Sequence, residues 1–431
     1  MLHVAIVGAG PAGFYTAEAL VKRLGAAVAI DIIDGLPTPY GLIRAGVAPD
    51  HQSIKAVDRR YHAVLAGGVR FVGDVMVGDG GVGVDTLLET YDAVVLATGA
   101  PHDRKLGIPG EDLPGVLGSA AFVGWYNGHP EFAALDVPLA HPGVAVIGNG
   151  NVAIDCARIL AKTADELASS DIAVHARVAL VESAVRDIRI LGRRGPYQAS
   201  FTPKETAELG HLSRARAVVD AADLPDVAGD AALEPGQRKV IASLRAFAAA
   251  PADDKPARVG LEFFARPVRI EADGGALRLT VERTRLDGAT LVGTGVEREI
   301  ACGLVVACIG YASAPLAGVP FDAGRGRFVN DAGRIAERLF VTGWARRGPS
   351  GTIGTNRPDG IEVAEGIAAA VMPAGRAGAA GLDALLARRG IVPVTFTGWQ
   401  AIDAAEVAAA RTGAPREKFV ARAAMRSVAG C

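Results

Sequence analysis

The sequence predicts an α/β protein built from two parallel-sheet domains, and three observations support this class. Two stretches, residues 4–24 and 144–160, each have the pattern of an apolar strand, a glycine-rich turn and a helix. A third apolar run, residues 91–100, ends in ATGA and has the pattern of a buried strand that leads into a turn. Glycine accounts for 54 of the 431 residues, which suits tight turns between strands and helices.

The composition excludes several classes of protein. The 45 Lys+Arg and 47 Asp+Glu residues give a net charge of −2, which is unlike a basic nucleic-acid binder, and 50% hydrophobic residues exclude a disordered chain. The longest uncharged run, residues 300–321, contains three glycines and two prolines, so it predicts a buried strand and a loop, with no membrane span. A strand pattern begins at once, so we expect no signal peptide. The four cysteines form no CxxC, so we expect neither a disulfide framework nor a metal site, and a cytoplasmic location.

The first glycine-rich stretch has the features of a dinucleotide-binding turn. Gly8, Gly10 and Gly13 form GxGxxG between the strand and the helix. They allow a tight turn, a close approach of a pyrophosphate to the backbone, and close packing of the helix on the strand. A second apolar run, residues 27–33, ends in Asp34, whose carboxylate suits the hydroxyls of an adenosine ribose. The alternative is an ordinary glycine-rich turn.

The second stretch follows the same order, although Ala153 replaces the third glycine. No acid follows at the expected distance. Instead, a strand-like run at residues 188–191 leads into Gly192, Arg193 and Arg194, after an insertion at residues 163–185. Arginines at this position suit a 2′-phosphate, which a carboxylate would repel. The alternative for the two arginines is a solvated pair on a turn.

Two complete turns in one chain predict two different dinucleotides, FAD at the acid-terminated turn and NADP(H) at the arginine-terminated turn. The strand ending in ATGA and a late segment, residues 339–356, are expected to close the first domain. The predicted fold is therefore two Rossmann-like dinucleotide-binding domains, each of three layers, with the second inserted into a discontinuous first. The predicted boundaries are 1–103 and 311–431 for the FAD-binding domain and 104–310 for the NADP-binding domain.

The chain resembles the adrenodoxin-reductase-like ferredoxin–NADP reductases, within the glutathione-reductase-type flavoprotein fold. The resemblance covers nearly the whole chain, and it rests on GAGPAGFYTAEAL, GNGNVAIDCARIL, residues 36–51, 122–130, 192–205 and 343–356, and the tail from Trp399. It implies an oxidoreductase of the EC 1.18.1 type that transfers a hydride between NADPH and FAD. It also implies one-electron transfer to or from a ferredoxin, usually an acidic protein.

The resemblance further implies site residues at matching positions. Those implied around FAD, besides the glycine turn, are Ala12, Asp34, Leu42, Val77, Trp344, Gly351, Thr352 and Ile353. Those implied around NADP are Asn149, Gly150, Asn151, Val152, Arg193, Arg194, Glu205 and again Gly351. The implied catalytic residues, near the point where nicotinamide and flavin meet, are His51, Asp155 and Glu208, and His51 is expected to form a hydrogen bond with Asp155.

Three other functions remain as alternatives. A disulfide reductase of this fold needs two cysteines beside the flavin, and we expect no redox pair here, because Cys302 and Cys308 belong to a strand region and Cys156 is expected to be a small core residue. A glutamate-synthase small subunit would add a cysteine-rich domain before the first strand. A non-catalytic NADP-binding redox module would oxidise no NADPH.

Two basic clusters are candidates for docking an acidic ferredoxin. One comprises Arg238, Lys239 and Arg245 on a predicted helix, and the other is the pair Arg346 and Arg347. The alternative for both is ordinary solvated charge.

Overall fold

The computed structural model describes every residue from Met1 to Cys431. The strands are, in chain order, β1 (Leu2–Val7), β2 (Val28–Ile33), β3 (Arg70–Val72), β4 (Ala93–Leu96), β5 (His102–Asp103), β6 (Val116–Gly118), β7 (Gly143–Ile147), β8 (Asp187–Leu191), β9 (Ala215–Val219), β10 (Ala257–Glu262), β11 (Ala265–Asp273), β12 (Ala276–Asp287), β13 (Thr290–Cys302), β14 (Leu304–Ala307), β15 (Tyr311–Ala312), β16 (Phe321–Asp322), β17 (Arg327–Phe328) and β18 (Leu339–Val341).

The α-helices are, in chain order, α1 (Pro11–Leu24), α2 (Leu42–Ala45), α3 (Gln52–Lys55), α4 (Asp58–Ala66), α5 (Val84–Thr90), α6 (Ser119–Asn127), α7 (Asn151–Ala161), α8 (Val174–Val181), α9 (Pro203–Glu208), α10 (Pro235–Ala249), α11 (Trp344–Arg347), α12 (Asn356–Ala370), α13 (Ala379–Arg388), α14 (Phe396–Ala408) and α15 (Arg422–Ala429). Short 3₁₀ helices occupy Gly25–Ala27, Pro196–Gln198, Leu209–His211, Ala221–Asp223, Val227–Ala232 and Ile353–Thr355. None of these helices combines the length and the apolar character needed to cross a membrane.

The first compact unit comprises Met1–His102, Asn127–Pro130 and Tyr311–Cys431. Its parallel sheet has the strand order β18-β4-β1-β2-β3. Alternate residues of β1 pack into two different hydrophobic clusters. Val4 and Ile6 lie on one face of the sheet, and Ala5 and Val7 lie on the other, so the sheet is buried on both sides. Because β18 comes from the last third of the chain, this unit is discontinuous in sequence.

The second compact unit comprises Asp103–Tyr126 and Glu131–Gly310. Its parallel sheet has the order β6-β14-β7-β8-β10-β9. Val144 and Val146 of β7 pack with α7, whereas Ala145 and Ile147 pack with the antiparallel sheet β11-β12-β13. The predicted class, α/β with two Rossmann-like domains, is thus confirmed, and the third layer of this unit is a sheet.

Candidate dinucleotide-binding sites

The first glycine turn connects β1 to α1 in the first unit. Gly8 has a φ of +113°, and a Cβ there would lie 2.4 Å from the carbonyl oxygen of Ala97. A Cβ at Gly13 would lie 2.1 Å from the Gly8 oxygen, so both positions require glycine. Gly10 differs, since no atom lies within 4 Å of the position of its Cβ. This open space beside an uncapped helix N-terminus fits a bound pyrophosphate.

Asp34 follows β2 and lies against this turn. Its Oδ2 accepts a hydrogen bond from the Ala9 N–H at 2.6 Å, and its Oδ1 accepts one from the Leu36 N–H at 2.8 Å. Burial raises the pKa of Asp34, and the two backbone N–H groups oppose that rise. A carboxylate oxygen has the capacity for two hydrogen bonds and each Asp34 oxygen accepts one here, so Asp34 fixes the turn and still has acceptor capacity for a ribose hydroxyl.

The late segment of the chain closes on the start of α1. A Cβ at Gly343 would lie 2.5 Å from the Cβ of Ala12, so only glycine allows this approach. The hydroxyls of Thr98 and Thr342, which follow β4 and β18, are buried and have no hydrogen-bond partner within the protein. Buried hydroxyls without partners at the ends of adjacent strands fit a polar ligand at this edge of the sheet.

The remaining residues predicted around FAD all belong to the first unit. Trp344 is half-buried, stacks on Tyr311 at 6.0 Å, and donates from Nε1 to the Ser350 carbonyl oxygen at 3.1 Å. Thr352 caps the short helix at Ile353–Thr355. Leu42, Gly351 and Thr352 are exposed, and Val77 and Ile353 are half-buried. Their contacts with FAD stay predictions.

The second glycine turn connects β7 to α7 in the second unit. Gly148 has a φ of +145°, and a Cβ there would lie 2.1 Å from the Cys308 carbonyl oxygen. Gly150 again has open space where its Cβ would be. The Asn151 side chain accepts a hydrogen bond from the Thr202 N–H at 2.8 Å, and the Asn149 carbonyl accepts one from the Ser200 N–H at 2.7 Å. These two hydrogen bonds hold the turn in place from residues 200 and 202. Val152, the second residue of α7, is half-buried.

Arg193 and Arg194 follow β8 with exposed side chains. Their backbone is fixed, because the Arg193 carbonyl accepts from the Thr284 hydroxyl at 2.7 Å and the Arg194 carbonyl accepts from the Phe264 N–H at 3.1 Å. Neither guanidinium forms an ion pair or a hydrogen bond within the protein, whereas nearby Arg189 and Arg258 both pair with Asp187. Two adjacent, unneutralised guanidinium groups on a fixed backbone are suited to an anion.

The two carboxylates predicted near the nicotinamide, Asp155 and Glu208, both form salt bridges with one buried arginine. Arg158 of α7 is 1% exposed; its Nη2 lies 2.8 Å from Asp155 Oδ1 and its Nε lies 3.2 Å from Glu208 Oε2. On α9, the Glu205 Oε2 is buried without a hydrogen-bond partner in the protein, which fits a ligand donor. Sequence reasoning missed Arg158, although a charge among the apolar residues of DCARIL was a signal.

His51 lies in the first unit, whereas Asp155 and Glu208 lie in the second. The His51 side chain is 7% exposed, and its backbone precedes α3 and donates to the Ala48 carbonyl at 3.0 Å. The expected bond from His51 to Asp155 stays a prediction.

The two basic clusters carry less free charge than the sequence suggests. Arg245 pairs with Asp230 at 2.9 Å, while Arg238 and Lys239 are exposed on α10. Arg346 pairs with Glu362 at 2.7 Å, and Arg347 pairs with Asp359. The exposed cations of α10 are therefore the stronger docking candidates.

Two of the four cysteines lie closer together than their positions in the sequence suggest. Cys302, at the end of β13, is buried and apart, but the Sγ of Cys308 lies 3.9 Å from that of Cys156 on α7. The two residues are 152 positions apart, so no local spacing predicts their contact.

Comparisons with known proteins agree with this architecture. The family model described as pyridine nucleotide-disulphide oxidoreductase matches residues 2–193. The human mitochondrial NADPH:adrenodoxin oxidoreductase is 41% identical, over 97% of this chain and 90% of that protein. The Mycobacterium tuberculosis NADPH-ferredoxin reductase FprA is 39% identical, over 98% of this chain and 97% of that protein. A solved structure, "Mycobacterium tuberculosis FprA in complex with NADPH", matches with a TM-score of 0.95 and 37% identity over 100% of both chains.

The fold and the two turns define an oxidoreductase with two dinucleotide-binding domains. Within that class, the chain belongs to the family of the NADPH-dependent adrenodoxin and ferredoxin reductases. The resemblance inferred from the sequence is thereby confirmed.

Proposed function

We propose that this protein is an FAD-containing ferredoxin–NADP reductase, which couples hydride transfer between NADPH and FAD to one-electron exchange with a ferredoxin-type iron–sulfur protein. The observation that carries the proposal is the pair of unneutralised guanidinium groups, Arg193 and Arg194, next to the second glycine turn. An acid at that position would favour NADH, whereas two free cations favour the 2′-phosphate of NADPH. The relatives are named as NADPH-dependent reductases of adrenodoxin or ferredoxin, which supports the same assignment.

The first unit fits FAD. Gly10 leaves room for the pyrophosphate at the N-terminus of α1, Asp34 offers acceptors to the ribose, and Thr98 and Thr342 offer free hydroxyls at the ends of β4 and β18. We assign Trp344 and the backbone of residues 351–353 to the surroundings of the flavin ring. When bound, FAD supplies the exchange between a two-electron hydride donor and one-electron acceptors.

The second unit fits NADPH. Gly150 leaves room for its pyrophosphate at the N-terminus of α7, which has no side-chain cap. Arg193 and Arg194 bind the 2′-phosphate, and the free oxygen of Glu205 accepts a hydrogen bond from the ligand.

Asp155 and Glu208 are the carboxylates that we assign to the nicotinamide end of this site. Arg158 is their positioning residue, because its buried guanidinium contacts both. Because this buried cation contacts both carboxylates, it orients them before NADPH binds. His51 completes the set of three residues, with Asp155 and Glu208, that we propose as catalytic.

For the protein partner we propose an acidic ferredoxin that docks on the exposed cations Arg238 and Lys239 of α10. We also propose a cytoplasmic location, which the four free cysteines support.

An absorbance spectrum and an anaerobic NADPH titration test the proposal. We expect a flavin spectrum that NADPH bleaches stoichiometrically and NADH bleaches poorly, followed by reduction of a ferredoxin. Protein that binds NADPH without a flavin would instead be a non-catalytic module. Flavin reduction with electron transfer to disulfides but not to ferredoxin would indicate a disulfide reductase.

A further inference from the structure

Two thiols lie against each other in the second unit, and the proposed reaction uses neither. The Cys308 thiol, just after β14, donates toward the Cys156 sulfur on α7 across 3.9 Å. The other two cysteines lie elsewhere, Cys302 buried at the end of β13 and Cys431 exposed at the C-terminus.

The two sulfurs differ in access and in protonation. Cys156 is fully buried, whereas Cys308 is partly exposed. Burial and the neighbouring thiol raise the pKa of Cys156 well above the ordinary range of a cysteine, so it stays protonated. An oxidant therefore reaches Cys308 first, and Cys156 is the nearest group that can resolve the product.

We propose that Cys156 and Cys308 form a reversible disulfide in the presence of hydrogen peroxide, and that this disulfide weakens NADPH binding. Peroxide oxidises the Cys308 sulfur to a sulfenic acid as its O–O bond breaks and one water leaves. The Cys156 sulfur then attacks that sulfur as its thiol proton passes to the sulfenic oxygen, so the S–S bond forms, the S–O bond breaks, and the oxygen leaves as a second water. In total, two thiols lose two electrons and two protons, and one peroxide becomes two waters.

The effect on NADPH follows from what the two cysteines adjoin. A Cβ at Gly148, the first glycine of the second turn, would lie 2.1 Å from the Cys308 carbonyl oxygen. The Cys308 N–H donates to the carbonyl of Ile147, the last residue of β7, at 2.7 Å. Cys156 lies on α7, whose N-terminus Asn151 belongs to the same turn. Cys308 and Cys156 thus flank the turn that we assign to the pyrophosphate.

Bond formation shortens the distance between the two sulfurs. The gap of 3.9 Å must close to about 2.05 Å, so the sulfurs approach by about 1.9 Å. In a close-packed interior the groups around the two sulfurs must adjust to this movement, and the turn that both cysteines adjoin is among them. This part of the inference rests on the proposed function, because its consequence is a change in NADPH affinity.

The test compares the full-length holoprotein after reduction and after treatment with hydrogen peroxide. We expect non-reducing peptide mapping by mass spectrometry to find a Cys156–Cys308 linkage only after oxidation, and dithiothreitol to remove it. We expect calorimetric titration with NADP⁺ to show a Kd raised by about fivefold or more, the lower end of typical coupling between sites, and restored by dithiothreitol.

Matched variants separate the linkage from other oxidation. Cys308→Ser should bind NADP⁺ with the same Kd before and after peroxide, while Cys431→Ser should behave as the wild type. Absence of the linked peptide, or a linkage that leaves the Kd unchanged, would overturn the inference. A reduced protein that fails to bind NADP⁺ would contradict the proposed function instead, and the peptide map would still decide whether the thiols pair.

Discussion

The choice between NADPH and NADH should depend on Arg193 and Arg194. The double variant Arg193→Ala/Arg194→Ala removes two guanidinium groups that have no partner in the protein. Their removal disturbs no internal ion pair, and their backbone bonds to Thr284 and Phe264 do not involve the side chains. The variant should therefore fold normally and report on ligand binding alone.

The size of the effect follows from the hydrogen bonds that the two guanidinium groups can donate to a 2′-phosphate. A hydrogen bond to a charged group is worth about 1.5–3 kcal/mol, and the exposure of both side chains favours the lower value. Two such bonds amount to about 3 kcal/mol, which corresponds to about 100-fold in affinity. We expect the KM for NADPH to rise by this order, while the KM for NADH changes by less than about twofold, since NADH has no 2′-phosphate.

Steady-state reduction of ferricyanide with each nucleotide measures both values. The control variant is Arg278→Ala/Arg285→Ala, which removes the same charge from β12 of the same unit. Equal weakening of NADPH and NADH by the Arg193/Arg194 variant, or equal weakening of NADPH by the control, would refute the assignment of these arginines to the 2′-phosphate.

Gly10→Val should purify without flavin absorbance, and Gly150→Val should keep its flavin but lose NADPH binding. In each case the new side chain enters only the space that we assign to the pyrophosphate of a ligand. A Gly10→Val protein that retains its flavin absorbance would contradict the first site. Arg158→Met should lower the free energy of unfolding in urea by about 1–3 kcal/mol, since it leaves two partly buried carboxylates without their cation, and a loss below about 0.5 kcal/mol would argue against that role. Arg238→Glu/Lys239→Glu should slow ferredoxin reduction and flatten its salt dependence, while ferricyanide reduction is spared; unchanged kinetics would place docking elsewhere. Burial would raise the pKa of Glu406, but Arg44 and Arg416 hold it below its ordinary value of 4.5, so the ionised carboxylate stabilises the fold above that pH and this contribution is lost as the pH falls. In Glu406→Gln, the free energy of unfolding measured in urea should therefore fall less steeply as the pH is lowered. An unchanged pH dependence of that free energy would contradict the argument.

The parts of the structure that local sequence determines were predictable. Both glycine turns, the strands before them and the position of Asp34 follow from short patterns, because a strand, a turn and a helix impose their residue types over about 30 positions. The discontinuity of the first unit was also predictable, since the strand end at residues 341–343 and the glycines after it were expected to approach the flavin.

The parts that depend on contacts between distant residues were not predictable. Arg245 looked like a free surface charge, but its partner Asp230 lies in a separate 3₁₀ segment. Cys156 looked like a small core residue, and only the packing of α7 beside β14 brings it to Cys308. In both cases the partner is set by tertiary packing, which no spacing along the chain reveals.

The late position of β18 has a consequence for synthesis on the ribosome. Residues 1–102 contain β1 to β4, but the edge of β4 is covered only by β18, which ends at Val341. At about 5–20 residues per second, the ribosome needs about 12–48 s to make the intervening 239 residues. All six strands of the second parallel sheet lie within that stretch, so the nascent chain can complete its second sheet while the first still exposes an unpaired, wholly apolar strand edge. The unit made first is thus the unit finished last, and its open edge is the place where a holdase chaperone, or an aggregating neighbour, would meet this chain during translation.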